Sequence, residues 1–240
     1  MDESNGGTTD SVWKPLYRVG GAAALITAVL IPLHVIVFIV WPPPLEGTVI
    51  DWFTLFQDNW LLGLLSMDLL LMADYVLLVP IVLALYVVLR RASEYLMAIG
   101  TALFFLAIAV YFASNTAFEM LSLSEGYAVA TTEAQRSTFL AAGQAMIATY
   151  QGTSFHVSYV LGSVAGIIIG AVMLRSNIFS RVTAYAGILG NVIGFGLYVP
   201  MIGLFLSVVS GPVLWIWYIL LARRLFQLGR LESETLPQQS

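Results

Sequence analysis

The chain contains no cysteine. That excludes disulfides, zinc–thiolate sites, iron–sulfur clusters and cysteine nucleophiles together. Charge is scarce: Asp, Glu, Lys and Arg make up 10% of 240 residues, where a soluble domain carries roughly 25%. No lysine falls within any long apolar run, which excludes a retinal-type Schiff base. The basic residues nowhere cluster as a nucleic-acid-binding face requires, so no nucleic-acid partner is expected. The GxSxG, P-loop and HExxH patterns are missing, as is a GxGxxG followed by a suitable acidic residue, and no cofactor is expected. Ser154 lies near His156, but that spacing alone does not make a Ser–His dyad. What the chain has in abundance is apolar: 59% hydrophobic residues and a mean hydropathy of +0.88. Lipid is therefore the expected solvent for most of it.

Six apolar runs fit the roughly 20 residues that a membrane-spanning helix needs. They cover about Val19–Val40, Leu61–Leu89, Tyr95–Phe118, Phe155–Leu174, Val182–Val199 and Gly203–Leu225. The second is longer than a span needs and holds Pro80, and the sixth contains Gly211-Pro212. Only Pro200 and its neighbours mark a turn between the fifth and sixth. Basic residues set the orientation, because cytoplasmic loops are enriched in Lys and Arg. Lys14 and Arg18 precede run one, Arg90 and Arg91 separate runs two and three, Arg175 and Arg181 separate runs four and five, and Arg223, Arg224 and Arg230 close run six. Nine of the ten basic residues then share one side, and the tenth, Arg136, sits in the loop between runs three and four. The expected fold is an all-α bundle of six transmembrane helices with both termini cytoplasmic. Residues 1–13 and 231–240 are read as short cytoplasmic tails flanking a membrane domain at 14–230, in a plasma membrane of prokaryotic type. The polar, acidic start of the chain lacks the pattern of a secretory signal.

The loops expected outside are acidic and partly structured. After Pro42, Pro43 and Pro44, the run from Ile50 to Phe56 reads as a short helix in the membrane interface, where aromatic rings favour headgroup depth. Between runs three and four, Thr132 is placed to cap a helix, with Glu133 favourable at its positive end. Phe139, Leu140, Met146, Ile147 and Tyr150 then share one stripe at helical spacing, which predicts an amphipathic helix of about five turns. Arg136 falls at the start of that stripe, where its long stem lets the charge reach water. Such a helix either caps the bundle as a lid or is an ordinary surface helix with a packed apolar face.

Small residues mark packing faces. Gly162, Gly166 and Gly170 in run four, and Ala186, Gly190 and Gly194 in run five, recur every fourth residue and so hold one face. Faces of this kind let backbones approach closely, and they predict that runs four and five pack against each other. The stretch Val87–Arg91 leading to Tyr95 and Gly100 also echoes Val172–Ser176 leading to Tyr185 and Gly190. That echo fits a duplicated hairpin and equally the common form of hairpins with basic turns.

Ionisable residues inside spans cost about 2.5–3.5 kcal/mol each on insertion scales and usually face the bundle interior. Here they are His34, Asp68, Asp74, Glu119 and His156, joined by Asn115, Tyr159 and Asn191. Followed along the expected direction of each run, His34, Asp68, Asn115, Glu119, His156 and Tyr159 fall in the outer half and Asp74 near the middle. The inner half has no equivalent set. Tyr111, Asn115 and Glu119 share a face, as do Thr153, His156 and Tyr159, while on a continuous helix Asp68 and Asp74 point about 120° apart. The set reads as the lining of an outward-opening polar cavity, although buried polar residues also serve as plain interhelical hydrogen bonds. His and carboxylates suit divalent metals, but no ligand spacing supports a metal site.

The stretch YFASNTAFEMLSLSEGYAVATTEAQRSTFLAAGQAMIATYQGTSFHVSYV from Tyr111, with VMLRSNIFSRVTAYAGILG and ILLARRLFQLG later, resembles a prokaryotic membrane-protein family catalogued as domain of unknown function 4386. The resemblance runs from about Tyr17 to Gly229, and is most specific at Phe112-Ala113-Ser114-Asn115 with Phe118-Glu119 and at the basic hairpin Arg175–Arg181. It implies a six-helix protein and carries no site residues with it. Three functions fit the residues. The first is a membrane protein that binds or passes a small or lipidic molecule through the polar cavity. The second is an intramembrane enzyme using the His and carboxylate groups as acid, base or metal ligands. The third is an accessory subunit of a membrane complex.

Overall fold

The computed structural model describes residues 12–230, so all of 1–11 and 231–240 in the two expected tails lies outside the described residues. Every regular element among the described residues is helical. In chain order they are α1 Lys14–Val40, α2 Val49–Asp58, α3 Trp60–Ser66, α4 Leu69–Leu89, α5 Glu94–Ser114, α6 Ala117–Val129, α7 Glu133–Tyr150, α8 Thr153–Arg175, α9 Arg181–Gly194, a 3₁₀ turn Phe195–Tyr198, and α10 Gly203–Arg230. Five stretches are long and apolar enough to cross a membrane: Lys14–Val40, Leu69–Leu89, Glu94–Val129, Glu133–Arg175 and Phe205–Arg230. The fifth expected run does not qualify, because its α-helix has 14 residues and then tightens into 3₁₀ geometry.

Two other expected runs are interrupted. Run two divides into α3 and α4 at Met67-Asp68, where Asp68 takes the left-handed backbone conformation at φ 66°. Asp and Asn enter that region more readily than other side chains bearing a Cβ. The expected 120° between Asp68 and Asp74 therefore does not apply, since Asp68 stands before α4 rather than within it. Run three divides into α5 and α6 at Asn115-Thr116.

The contacts divide the chain into two compact units, Leu30–Val76 with Leu106–Gly162, and the remaining segments up to Val29, Leu77–Phe105 and from Ser163. In the latter unit, small residues bring helices together. A Cβ at Gly20 would meet Ala84 of α4, and one at Gly21 would meet Phe226 of α10. Arg18 and Trp215 then tie α1 to α10, through Arg18 Nε donating to the Gly229 carbonyl at 3.1 Å and Trp215 Nε1 to the Ala28 carbonyl at 2.6 Å. Gly166 and Gly170 of α8 press on Asn191, Ile188 and the Ala184 carbonyl, so α8 does pack on α9. It meets the row Ala184, Ile188 and Asn191, however, not the small row expected. Gly187 and Gly190 instead face Trp217 and Leu214 of α10, while Gly162 and the Ala107 it faces both belong to the other unit. Two neighbouring helices compete for the small face of α9, and the bulkier α10, with Trp217, takes it. The contacts Gly187–Trp217, Gly190–Leu214 and Gly196–Leu206 descend in antiparallel register.

The other unit is built around Val49, Trp52, Phe53, Phe56, Leu64, Met67, Ala117 and Met120, all buried. Trp52 and Phe53 are each 1% exposed. The aromatic face of α2 is thus covered by protein: Val49, Trp52, Phe53 and Phe56 recur at helical spacing, and Gly143 of α7 and Gly63 of α3 leave room for their rings. The Asp51 carboxylate closes the start of α2, where Thr48 donates to Asp51 Oδ2 from its backbone N at 2.6 Å and from Oγ1 at 2.8 Å. Those bonds hold the Asp51 carboxyl below the usual carboxylate range. Thr132 caps α7 by accepting from Gln135 N at 3.2 Å, and Gln135 Oε1 accepts back from Thr132 N. Phe139, Leu140, Met146, Ile147 and Tyr150 of α7 all pack on the same core. Arg136 is exposed and pairs with Glu133 at 3.6 Å.

Candidate functional site

The two helix breaks create the site. A break leaves backbone carbonyls and amides without their helical partners, and in an apolar surround these must be satisfied by side chains. Asn115 does this for both. Its Nδ2 donates to the Met67 carbonyl at 2.9 Å, at the end of α3, and its Oδ1 accepts from Ala117 N at 3.1 Å, at the start of α6. Thr116 Oγ1 donates to the Met146 carbonyl of α7 at 3.2 Å, and Ser114 Oγ to the Tyr111 carbonyl at 2.7 Å. The breaks are thereby pinned to each other and to α7.

Asp68 stands at the centre of this arrangement, 7% exposed. Its two oxygens have different partners. Tyr150, in the last residue of α7, donates its hydroxyl to Oδ2 at 2.5 Å, and His34 Nε2 of α1 lies 3.6 Å from Oδ1. His34 is positioned by stacking on Phe38 one turn later, with centroids 4.5 Å apart. Tyr75 and Tyr111 stack at 3.9 Å and 14°. The Tyr75 hydroxyl lies 3.4 Å from Ser158 Oγ, and Ser158 itself donates to the Ala107 carbonyl at 2.8 Å. With its one proton committed, Ser158 accepts from Tyr75. The Tyr111 hydroxyl is buried and has no partner at hydrogen-bond length among the described residues. One carboxylate, one imidazole and one phenol therefore meet from α1, the α3–α4 break and α7, and the stacked Tyr75 and Tyr111 of α4 and α5 belong to the same unit.

Of the residues singled out in the sequence, His34, Asp68 and Asn115 are brought together. Asp74 is buried on α4, 6% exposed. Glu119 and His156 are exposed, on α6 and α8, and Tyr159 is half-buried beside Phe155. Asn191 belongs to the other unit, where its Nδ2 donates to the Gly187 carbonyl at 2.7 Å. No group of three His, Asp or Glu side chains is arranged to hold a metal among the described residues. Sequence reasoning missed Tyr75, Tyr111 and Tyr150 as site residues. Tyr111 lies one turn before Asn115, a usable signal, whereas Tyr150 reads as one more member of an apolar stripe. No protein-family model matches the chain, and neither a curated protein nor a solved structure is significantly similar to it.

Proposed function

We propose that this is a six-span protein of a prokaryotic plasma membrane, with both termini cytoplasmic, that binds or passes a small or lipidic molecule at Asp68. The family resemblance drawn from the Tyr111 stretch is kept as part of the same proposal. The observation that carries the binding reading is the surround of Asp68. A carboxylate in an apolar protein interior is costly unless it is paired and hydrogen-bonded. Here two partners take one oxygen each, and the stacked Tyr75 and Tyr111 rings belong to the same unit. That combination suits a ligand presenting a hydrogen-bond donor or an amine, which a carboxylate and aromatic faces both attract. The outer placement of the site rests on the charge pattern of the loops, and so does the position of α7 on the outer side.

The test compares wild type with Asp68→Asn by native mass spectrometry after gentle extraction. Asn tolerates the left-handed backbone and keeps the volume, so the fold is retained. The wild type is expected to carry a small-molecule or lipid adduct that the variant lacks. Equal adducts in both, or none in the wild type, refute binding at Asp68.

A second reading is favoured by one feature. Tyr150 and His34 bring exchangeable protons to the two oxygens of Asp68, at 2.5 Å and 3.6 Å, and series of such groups carry protons in membrane transporters. In that case His34→Gln abolishes proton-coupled uptake or release in vesicles while leaving the adduct in place.

A further inference from the structure

A polar concavity lies in the other unit. A cavity of about 230 Å³ is lined by Ile178, Ser180 and Thr183, around the start of α9, and by Arg223, Arg224 and Gln227 near the end of α10. Arg224 is held in place, with Nε donating to the Ile178 carbonyl at 2.6 Å and Nη1 to Gln227 Oε1 at 3.2 Å. That bond uses the Gln227 carbonyl and leaves its amide N–H₂ as a donor. Arg223 is exposed and pairs with no carboxylate among the described residues. Ser180 and Thr183 share a hydroxyl contact at 2.9 Å. The lining thus offers two guanidiniums, two hydroxyls and an amide, and no carboxylate. Its size is below the roughly 300–1,000 Å³ of drug-sized pockets, and it suits a compact anion rather than an extended ligand.

We propose that this cavity is a phosphate site, taking the phosphate of an anionic phospholipid headgroup or of a soluble phosphate ester between Arg223 and Arg224. Guanidinium forks match phosphate oxygens in pairs, and the hydroxyl and amide donors serve the remaining oxygens. Basic pockets between helices on the cytoplasmic side of membrane proteins bind lipid headgroups in this way. The sidedness rests on the topology proposed above; the phosphate chemistry does not.

The experiment uses the full chain in mild detergent and native mass spectrometry with added phosphatidylglycerol or phosphatidylcholine. Arg223→Gln removes a guanidinium with no hydrogen bond to lose, and Arg230→Gln removes a charge from the same helix end outside the cavity. Wild type is expected to prefer phosphatidylglycerol. Arg223→Gln should weaken that binding about fivefold, the equivalent of about 1 kcal/mol for one basic side chain, and Arg230→Gln should leave it unchanged. In a parallel arm, inorganic phosphate is added and the melting temperature followed. A rise in wild type that Arg223→Gln abolishes assigns the site to soluble phosphate, and binding of the lipid alone assigns it to a headgroup. The proposal is overturned if Arg223→Gln binds like wild type in both arms, or if both variants lose lipid equally, which is diffuse surface attraction.

Discussion

Tyr150 and Asp68 decide how the site should be regarded energetically. Interhelical hydrogen bonds in membrane proteins average about 0.6 kcal/mol and reach about 1.7. A bond to an ionised group is worth about 1.5–3 kcal/mol, because the buried charge has no solvent to fall back on. An ionised Asp68 would place the 2.5 Å bond from Tyr150 in the second class. A double-mutant cycle over Tyr150→Phe and Asp68→Asn, read by unfolding in detergent, is therefore expected to give a coupling of about 1.5 kcal/mol or more. A coupling near the 0.6 kcal/mol average would mean an ordinary neutral bond and would remove the case for a charged site. Asn115 bears a different burden: it satisfies backbone at two breaks at once, so it positions Asp68 rather than touching it.

Helix faces were partly legible in the sequence, and their limits have a physical cause. The apolar stripe of α7 and its Thr132 cap follow from local spacing and local hydrogen bonds, which sequence encodes directly. The breaks at Asp68 and Asn115 do not, since hydropathy runs straight through both. They are stabilised by a bond between residues 48 positions apart, and no window of sequence contains it. The α9 face went wrong for the same reason: a small-residue row says that something approaches closely, not which helix does. The α8 row can be tested residue by residue. A Cβ at Gly162 would stand 3.8 Å from Ala107, an ordinary contact, whereas one at Gly170 would stand 2.6 Å from Ile188 and one at Gly166 would overlap the Asn191 amide. Asn191 cannot retreat without giving up its bond to Gly187. Gly162→Ala should be nearly neutral, and Gly166→Ala should cost about 1–3 kcal/mol through overpacking. Gly211, with nothing within 4 Å of its added Cβ, gives the opposite sign: Gly211→Ala in α10 should stabilise by about 0.5–1 kcal/mol. Equal effects at Gly162 and Gly166 in thermal unfolding would show that α8 does not pack on α9 through this row.

For the whole molecule, five stretches qualify as spans by length and composition, and the proposed sixth crossing falls on α9. By length and composition α9 falls short: 14 residues rise about 21 Å against a hydrocarbon core of about 30 Å. The 3₁₀ turn changes that sum. Its four residues add about 8 Å, because 3₁₀ geometry rises about 2.0 Å per residue. The combined length, about 29 Å, matches the core. The register with α10 leads to the same number independently. Ile178 meets Arg224 at one end and Gly196 meets Leu206 at the other, so this arm runs antiparallel beside α10 for 18 residues, about 27 Å. Under the six-span topology proposed above, this segment crosses beside α10 over that length. Charge gives the sign, since Arg175 and Arg181 before the arm, and Arg223, Arg224 and Arg230 after its partner, all belong on the cytoplasmic side only if both cross. The absence of cysteine makes the measurement clean. Single cysteines at Ser137, Asn177 and Met201, each exposed, are treated with a membrane-impermeant maleimide on intact cells and after permeabilisation. Six crossings require Ser137→Cys and Met201→Cys to label on intact cells, and Asn177→Cys only after permeabilisation. Labelling of Met201→Cys and Asn177→Cys from the same side would mean that α9 dips into the bilayer and returns, leaving five crossings and the C-terminal arginines on the outer face.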